Sequence, residues 1–176
     1  SRGLGDVYKR QVDDYLSAGD INDIGPLGHT VFAVGLTKAG CYFSKAEGST
    51  ERYFLTIRGS GTLGYLYTDN SSHHVDGLLN DEGPVIVSAV ADLVNGTNHI
   101  YQKGFEIATS SIQANHDMNS PYPFIVGAKG GDPPNTLFFD GDIAEVIIYN
   151  KVLSEVERTN IETYLNNKYS PSPNLG

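Results

Sequence analysis

Short apolar runs rich in β-branched and aromatic residues, broken by Gly, Asn, Ser and Pro, recur along almost the whole chain. That pattern predicts strands rather than helices. Residues 30–37 (TVFAVGLT) have the length and β-branched content of a buried strand, and 41–45 pair with it or follow it. Residues 52–58 and 63–68 read as a hairpin closed by Gly59-Ser60-Gly61. Residues 84–93, 98–102 and 105–110 form a meander, because Asn95-Gly96 and Lys103-Gly104 are two-residue turn signals. Residues 124–128 are a further strand, and 12–18 are expected to be the first. Residues 20–28, 69–83 and 111–121 are polar and read as loops, with a Gly/Pro loop at 129–135. A loop as long as 69–83 in a compact domain is usually functional or mobile.

The pattern changes near the C-terminus. Residues 138–149 predict a long strand in which Phe139, Gly141 and Ile143 share one face. Val146 and Ile148 continue the apolar series after a step of three, which predicts either a bulge near Ala144 and Glu145 or a strand buried on both faces. Ser154 then opens a capping box with Glu157, and Leu153 sits just before it. The helix is expected over 154–168, with Val156, Ile161, Tyr164 and Leu165 as one broad apolar face. A strand-rich chain closed by one helix is all-β, and the expected architecture is a two-sheet antiparallel sandwich of roughly 11–13 strands.

The run Gly141-Asp142-Ile143-Ala144-Glu145-Val146-Ile147-Ile148-Tyr149-Asn150, followed by Leu153-Ser154 and a helix ending Tyr164-Leu165, resembles the C-terminal signature of laminin-G-like, concanavalin A-like jelly rolls. Asp14-Tyr15-Leu16, Thr30-Val31-Phe32-Ala33-Val34, Arg52-Tyr53-Phe54-Leu55 and Ile100-Tyr101-Gln102-Lys103-Gly104 resemble earlier pieces of it. The resemblance spans roughly residues 12–169 and implies a jelly-roll sandwich with one C-terminal helix. It does not fix a function, because the fold carries lectins, adhesion modules, glycanases and lyases.

Length and composition agree with a single β domain. The 176 residues suffice for one core, and 20 Gly and 11 Tyr suit glycine-rich turns between tyrosine-rich strands. Residues 1–11 (SRGLGDVYKRQ) are basic in an acidic chain and lack strand alternation, so they read as a non-native leader of the kind found at the ends of environmental sequences. Residues 12–169 are then the jelly-roll domain, and 170–176 (SPSPNLG) a linker-like tail. The resemblance implies an N-terminal section ahead of Asp13-Asp14-Tyr15-Leu16 that is missing here, leaving a sheet edge that invites self-association with a second copy.

A net charge of −9 argues against nucleic acid and against anionic lipid, both of which need clustered Lys and Arg. No run of about 18 apolar residues exists to insert into a membrane. Cys41 is the only cysteine, so no intrachain disulfide forms, and its plain reading is a small buried apolar residue. The family reading implies an extracellular or cell-surface location, with the export signal outside this chain.

The candidate chemistry is sparse. Asp140, Asp142 and Glu145 could meet on a bulged strand as the close carboxylate pair of a retaining glycanase. Their plain reading is structural. His29, His99 and His116 with Cys41 give no zinc spacing. The stretch Asp20-Ile21-Asn22-Asp23-Ile24-Gly25 is no EF-hand, because Ile24 and Val31 stand where calcium ligands belong. The resemblance implies a structural calcium, but Ala144-Glu145 stands where an Asp-Glu pair is usual, and the metal ligands stay unidentified.

A ligand-binding surface is expected at Arg58, Tyr65, Tyr67, His73 and His74. Tyrosines can cover the apolar C–H groups of a sugar while Arg and His fix its hydroxyls. Two function classes follow. One is a non-catalytic carbohydrate-binding or adhesion module, cut from a larger extracellular protein and bound to a glycan or cell-surface polysaccharide. The other is a glycoside hydrolase or polysaccharide lyase of the same fold, for which His73 or Tyr65 would be the base and Arg58 the charge-neutralising group.

Overall fold

The computed structural model describes residues 14–21, 25–37, 39–47, 50–58, 61–68, 72–78, 84–115, 119–130, 133–134 and 136–169. Residues 1–13, which include the expected leader 1–11, and residues 170–176, the expected tail, lie outside the described residues. The described residues form eleven strands and one helix: β1 (Leu16–Ser17), β2 (Gly28–Thr37), β3 (Gly40–Glu47), β4 (Thr50–Arg58), β5 (Thr62–Thr68), β6 (Ser72–Leu78), β7 (Val85–Asp92), β8 (Thr97–Gln102), β9 (Phe105–Ser111), β10 (Phe124–Val126), β11 (Gly141–Tyr149) and α1 (Glu155–Tyr169). One sheet runs β1-β10-β3-β4-β5-β6 and the other β11-β2-β7-β8-β9. All neighbours are antiparallel, as the jelly-roll reading requires.

The core lies between the two sheets. Val31 and Ala33 of β2 and Val85, Val87 and Ala89 of β7 meet Phe43 of β3 and Tyr53, Leu55 and Ile57 of β4. Phe43 stacks on Phe124 at 5.7 Å, and Tyr53 meets both rings, so one aromatic cluster joins three strands of the six-stranded sheet. A second apolar cluster, Phe32, Val34, Ile86, Leu153 and Leu165, lies on the other side of the five-stranded sheet, under α1. The residues of β2 therefore alternate between two buried faces, which is why its sequence reads as an unbroken apolar run.

The bulge in β11 is present. Its register with β2 shifts between Ile143 and Glu145, leaving Ala144 as the extra residue. Regular pairing begins at Gly141 rather than Phe138. Phe139 is buried, whereas Ile143, Val146 and Ile148 are only half-buried against the core.

Three expectations need correction. The expected loop 69–83 contains a strand, β6, whose seven residues all pair with β5. Ser-His-His-Val-Asp-Gly-Leu has weak strand character, and the ladder offered by β5 overrides it. The first strand is only Leu16–Ser17, paired to β10. The helix presents only part of the expected apolar face: Ile161 and Leu165 pack on the sheet, Val156 and Tyr164 are exposed, and the buried positions are Arg158, Glu162 and Leu165. These sit at i, i+4 and i+7, one stripe of the helix. The sheet beneath that stripe offers Ser88 and Tyr101 as well as apolar groups, so charged residues were selected where the pattern asked for aliphatic ones.

The capping box forms as read. The Ser154 N–H donates to Glu157 Oε2 at 2.9 Å, and the Glu157 N–H donates to Ser154 Oγ at 3.3 Å. Lys151 donates to the other carboxylate oxygen at 2.7 Å. These bonds, the Lys151 ammonium first, hold the Glu157 carboxyl down to about 2. Because its folded value is depressed, its stabilising effect is complete above the ordinary glutamate range and disappears as pH falls from there toward 2. Replacing Ser154 with Ala is expected to cost about 1 kcal/mol by removing the cap. Urea unfolding at pH 7 and pH 2.5 checks both points: the Ser154→Ala penalty should be smaller at pH 2.5.

Candidate ligand-binding site

The hairpin that carries the expected sugar site exists, and its register places each residue. Tyr65 is opposed by Leu55 and Val75, Tyr67 by Tyr53 and His73, and His74 by Leu66. Directly opposed residues of an antiparallel pair share a face. Tyr67 and His73 are thus one cross-strand pair, in the row of the wholly buried Tyr53. His74 belongs to the alternate row, with Leu66 and Phe54. Arg58 pairs with Thr62 at the opposite end of the hairpin, five residues along β4 from Tyr53, or about 17 Å at the usual strand rise. The register therefore brings Tyr65, Tyr67 and His73 into one row and leaves Arg58 at a distance and, like His74, in the row of the opposite face. The side chains of Arg58, Tyr65, Tyr67, His73 and His74 lie outside the described residues.

The face carrying Phe54 is partly roofed by the loop after β10. Lys129 places its ammonium 4.5 Å from the centre of the Phe54 ring, and Cys41 is buried beside it. The Cys41 thiol donates to the Phe43 carbonyl at 3.0 Å, and burial pushes its pKa well up, so it is a packed, unreactive thiol.

Of the carboxylates considered for catalysis, Asp140 and Asp142 line one pocket with Phe139 and Tyr15, and Glu145 is engaged elsewhere. Glu145, on the bulged strand, accepts from Lys168 at 3.0 Å and from the Tyr169 hydroxyl at 2.9 Å. The Lys168 bond, followed by that from Tyr169, lowers its pKa. A general acid needs the opposite shift. Glu145 instead ties the last turn of α1 to β11.

The groups considered for calcium are also engaged. Lys45, fully buried, donates to Asp20 Oδ1 at 2.8 Å and to the Ile21 carbonyl at 2.7 Å. A carboxylate and a carbonyl are what a calcium ion would use, and here an ammonium occupies that role. Glu145 is likewise satisfied by Lys168. Asn22, Asp23 and Ile24 lie outside the described residues, and no group of three or more metal-ligating side chains occurs among the described residues. His29 is buried against Tyr53, and burial lowers it to about 3, so it stays neutral in the core.

A groove of about 490 Å³ opens on the outer side of the five-stranded sheet, where β8 and β9 meet the first turn of α1. Sequence reading gave no sign of it. His99 and Tyr101 lie two residues apart on β8 with ring centres 6.2 Å apart and planes 24° apart. Glu106 on β9 is opposite Tyr101, and its Oε2 lies 2.9 Å from His99 Nδ1. Arg158 enters from α1 with its guanidinium 3.6 Å from the Tyr101 ring centre. It donates to Glu162 Oε1 at 2.6 Å, and Ser88 donates to the same oxygen at 2.5 Å. Burial raises the Tyr101 hydroxyl pKa; Arg158 opposes this, and the Glu106 and Glu162 carboxylates add to it. Phe105, at the start of β9, also lines the groove and is 78 % exposed.

Two local features shape this wall. Lys103 and Gly104 both take positive φ (49° and 87°), giving the tight turn that sets Phe105 at the rim. A register shift between Ile100 and Tyr101 then places Glu106 beside Tyr101. The Asp92 side chain accepts from the Val94 and Asn95 N–H groups and fixes the β7–β8 turn at the other end.

The family model of the concanavalin A-like lectin/glucanases superfamily matches residues 32–157. No curated protein matches the chain. Among solved structures, the Ruminococcus gnavus IT-sialidase CBM40 bound to α2,3-sialyllactose is similar at TM-score 0.65 and 19% identity, over 78% of this chain and 84% of that one. A SAP-like pentraxin from Limulus polyphemus is similar at TM-score 0.62 and 13% identity, over 87% and 83%. A leech intramolecular trans-sialidase complexed with 2,7-anhydro-Neu5Ac matches at TM-score 0.63 and 17% identity, with 83% of this chain covering 26% of that one. At these identities the likeness is one of fold.

Proposed function

The chain belongs to the concanavalin A-like lectin/glucanase superfamily, and on that premise we propose that it is a non-catalytic carbohydrate-binding or adhesion module of a larger extracellular protein. The observation that carries the reading is the state of Glu145. The one acidic cluster with glycanase spacing uses this carboxylate to anchor α1, with its pKa lowered rather than raised. A carboxyl held down and tied to the helix is unsuited to the acid role of a glycanase, which supports a domain that holds a sugar without cleaving it. The sialyllactose-bound CBM40 among the similar structures supports a glycan as the partner.

The hairpin β4–β5 with β6 is the first surface proposed, through Arg58, Tyr65, Tyr67, His73 and His74. Tyr65, Tyr67 and His73 share one row of the sheet while Arg58 and His74 belong to the other, so the ligand of this surface would engage Tyr65, Tyr67 and His73. A single open site of this kind gives micromolar to millimolar affinity, about −8 to −4 kcal/mol.

The test is a glycan array followed by affinity electrophoresis, with wild type, Tyr65→Ala/Tyr67→Ala and His73→Ala/His74→Ala, each checked for folding by circular dichroism. Wild type should bind at least one glycan weakly and release no sugar. Failure to bind any glycan overturns the reading. Reducing ends or unsaturated products on incubation would favour the hydrolase or lyase.

A further inference from the structure

We propose that the groove between β8, β9 and the first turn of α1 is a second binding site, specific for an uncharged saccharide segment. It rests on the reading that the domain binds glycans, and adds a location and a ligand class that the hairpin surface does not supply.

Four observations converge there. The first is Phe105, whose ring is 78 % exposed at the rim of the groove. An aromatic plate in that position covers the C–H face of a pyranose. The second is a set of polar groups beside it. Glu106 accepts hydroxyl hydrogens, the Tyr101 hydroxyl donates or accepts, and His99 is oriented by the 2.9 Å contact of its Nδ1 with Glu106.

The third observation is the charge. The groove is lined by Asp92, Glu106 and Glu155. Besides His99, which faces Glu106, its cationic side chain among the described residues is Arg158, which is only 5 % exposed and is committed to Glu162 and to the Tyr101 ring. Carboxylates without an available cation repel an anionic sugar and accept hydrogen bonds from neutral hydroxyls. The fourth is rigidity. Ser88, Glu162, Arg158 and Tyr101 form a continuous chain of contacts from sheet to helix, so the two walls are held in place before a ligand arrives. The volume of about 490 Å³ falls in the range of small-ligand sites.

Affinity electrophoresis in gels containing barley β-glucan, xylan, galactomannan or alginate tests the proposal with the full chain. Wild type should be retarded by at least one of the three neutral polymers and not by alginate. Phe105→Ala and Glu106→Gln should each weaken that retardation about tenfold, the loss of one stacked or hydrogen-bonded contact. Tyr164→Ala, on the exposed side of α1, should leave it unchanged. If both groove variants are retarded like wild type while Tyr65→Ala/Tyr67→Ala is not, the groove inference fails and the glycan-binding function stands. Retardation by alginate alone overturns the ligand class. A wild type retarded by none of the polymers overturns this site, and the glycan array separately decides the general function.

Discussion

Glu162→Ala is expected to destabilise the domain by about 3–5 kcal/mol, the range for breaking a buried ion pair from one side. The side chains of Arg158 and Glu162 are both only 7% exposed, and their contact is 2.6 Å. Removing the carboxylate leaves a guanidinium under the helix without its paired acid, stacked on the Tyr101 ring, and takes the acceptor from Ser88. In a domain of this size that is a fall of about 10 °C in Tm. The double variant Arg158→Leu/Glu162→Leu should recover most of the loss, since an apolar pair of similar volume needs no desolvation of charge. Equal Tm values for Glu162→Ala and wild type would show that the pair is solvated and contributes little. A double variant no better than the single would show that Ser88 and Tyr101 depend on the charges themselves.

Gly28→Ala is the second change expected to be severe. Gly28 opens β2 with φ +106°, a conformation that costs an L-residue about 1–3 kcal/mol. A Cβ at that position would run into the Ala91 carbonyl oxygen and come within 3.0 Å of the Leu93 nitrogen and of Val152 Cγ2. The first two are backbone atoms of the central strand β7 and the turn after it, so they cannot rotate away. Overpacking of this kind adds about 1–3 kcal/mol, and the sum is about 4 kcal/mol. Gly61→Ala is the matched control: its φ is +75°, yet nothing lies within 4 Å of its Cβ position. Guanidinium unfolding of the two variants separates φ strain from collision. If Gly28→Ala costs no more than Gly61→Ala, the start of β2 relaxes and the collision is not real.

The parts of this protein that sequence alone determined are those whose contacts lie within a few residues. The cap at Ser154 and Glu157 is an i,i+3 interaction, so its residues are adjacent in the text. Gly96 and Gly104 mark their turns because glycine tolerates positive φ, although the β7–β8 connection spans four residues, 93–96, rather than the two-residue Asn95-Gly96 turn expected. The bulge at Ala144 was written as a slip in the period of apolar positions, and the resemblance around Gly141–Tyr149 carried the fold class.

What tertiary structure decided is everything that depends on which segments become neighbours. β6 is a strand because β5 lies beside it, not because Ser-His-His-Val-Asp-Gly-Leu prefers to be one. The helix buries Arg158 and Glu162 because Ser88 and Tyr101 lie under it, and a hydrophobic period cannot announce a charged stripe whose partners are more than fifty residues away. Glu145 looks like a catalytic candidate in a spacing of three acids, and only Lys168 and Tyr169, brought back by the helix, make it an anchor. The groove of His99, Tyr101, Phe105, Glu106 and Arg158 combines a meander with the start of a helix fifty residues later. Side-chain chemistry at one position is legible in a sequence; the identity of its partner across the fold is fixed only when the sheets close.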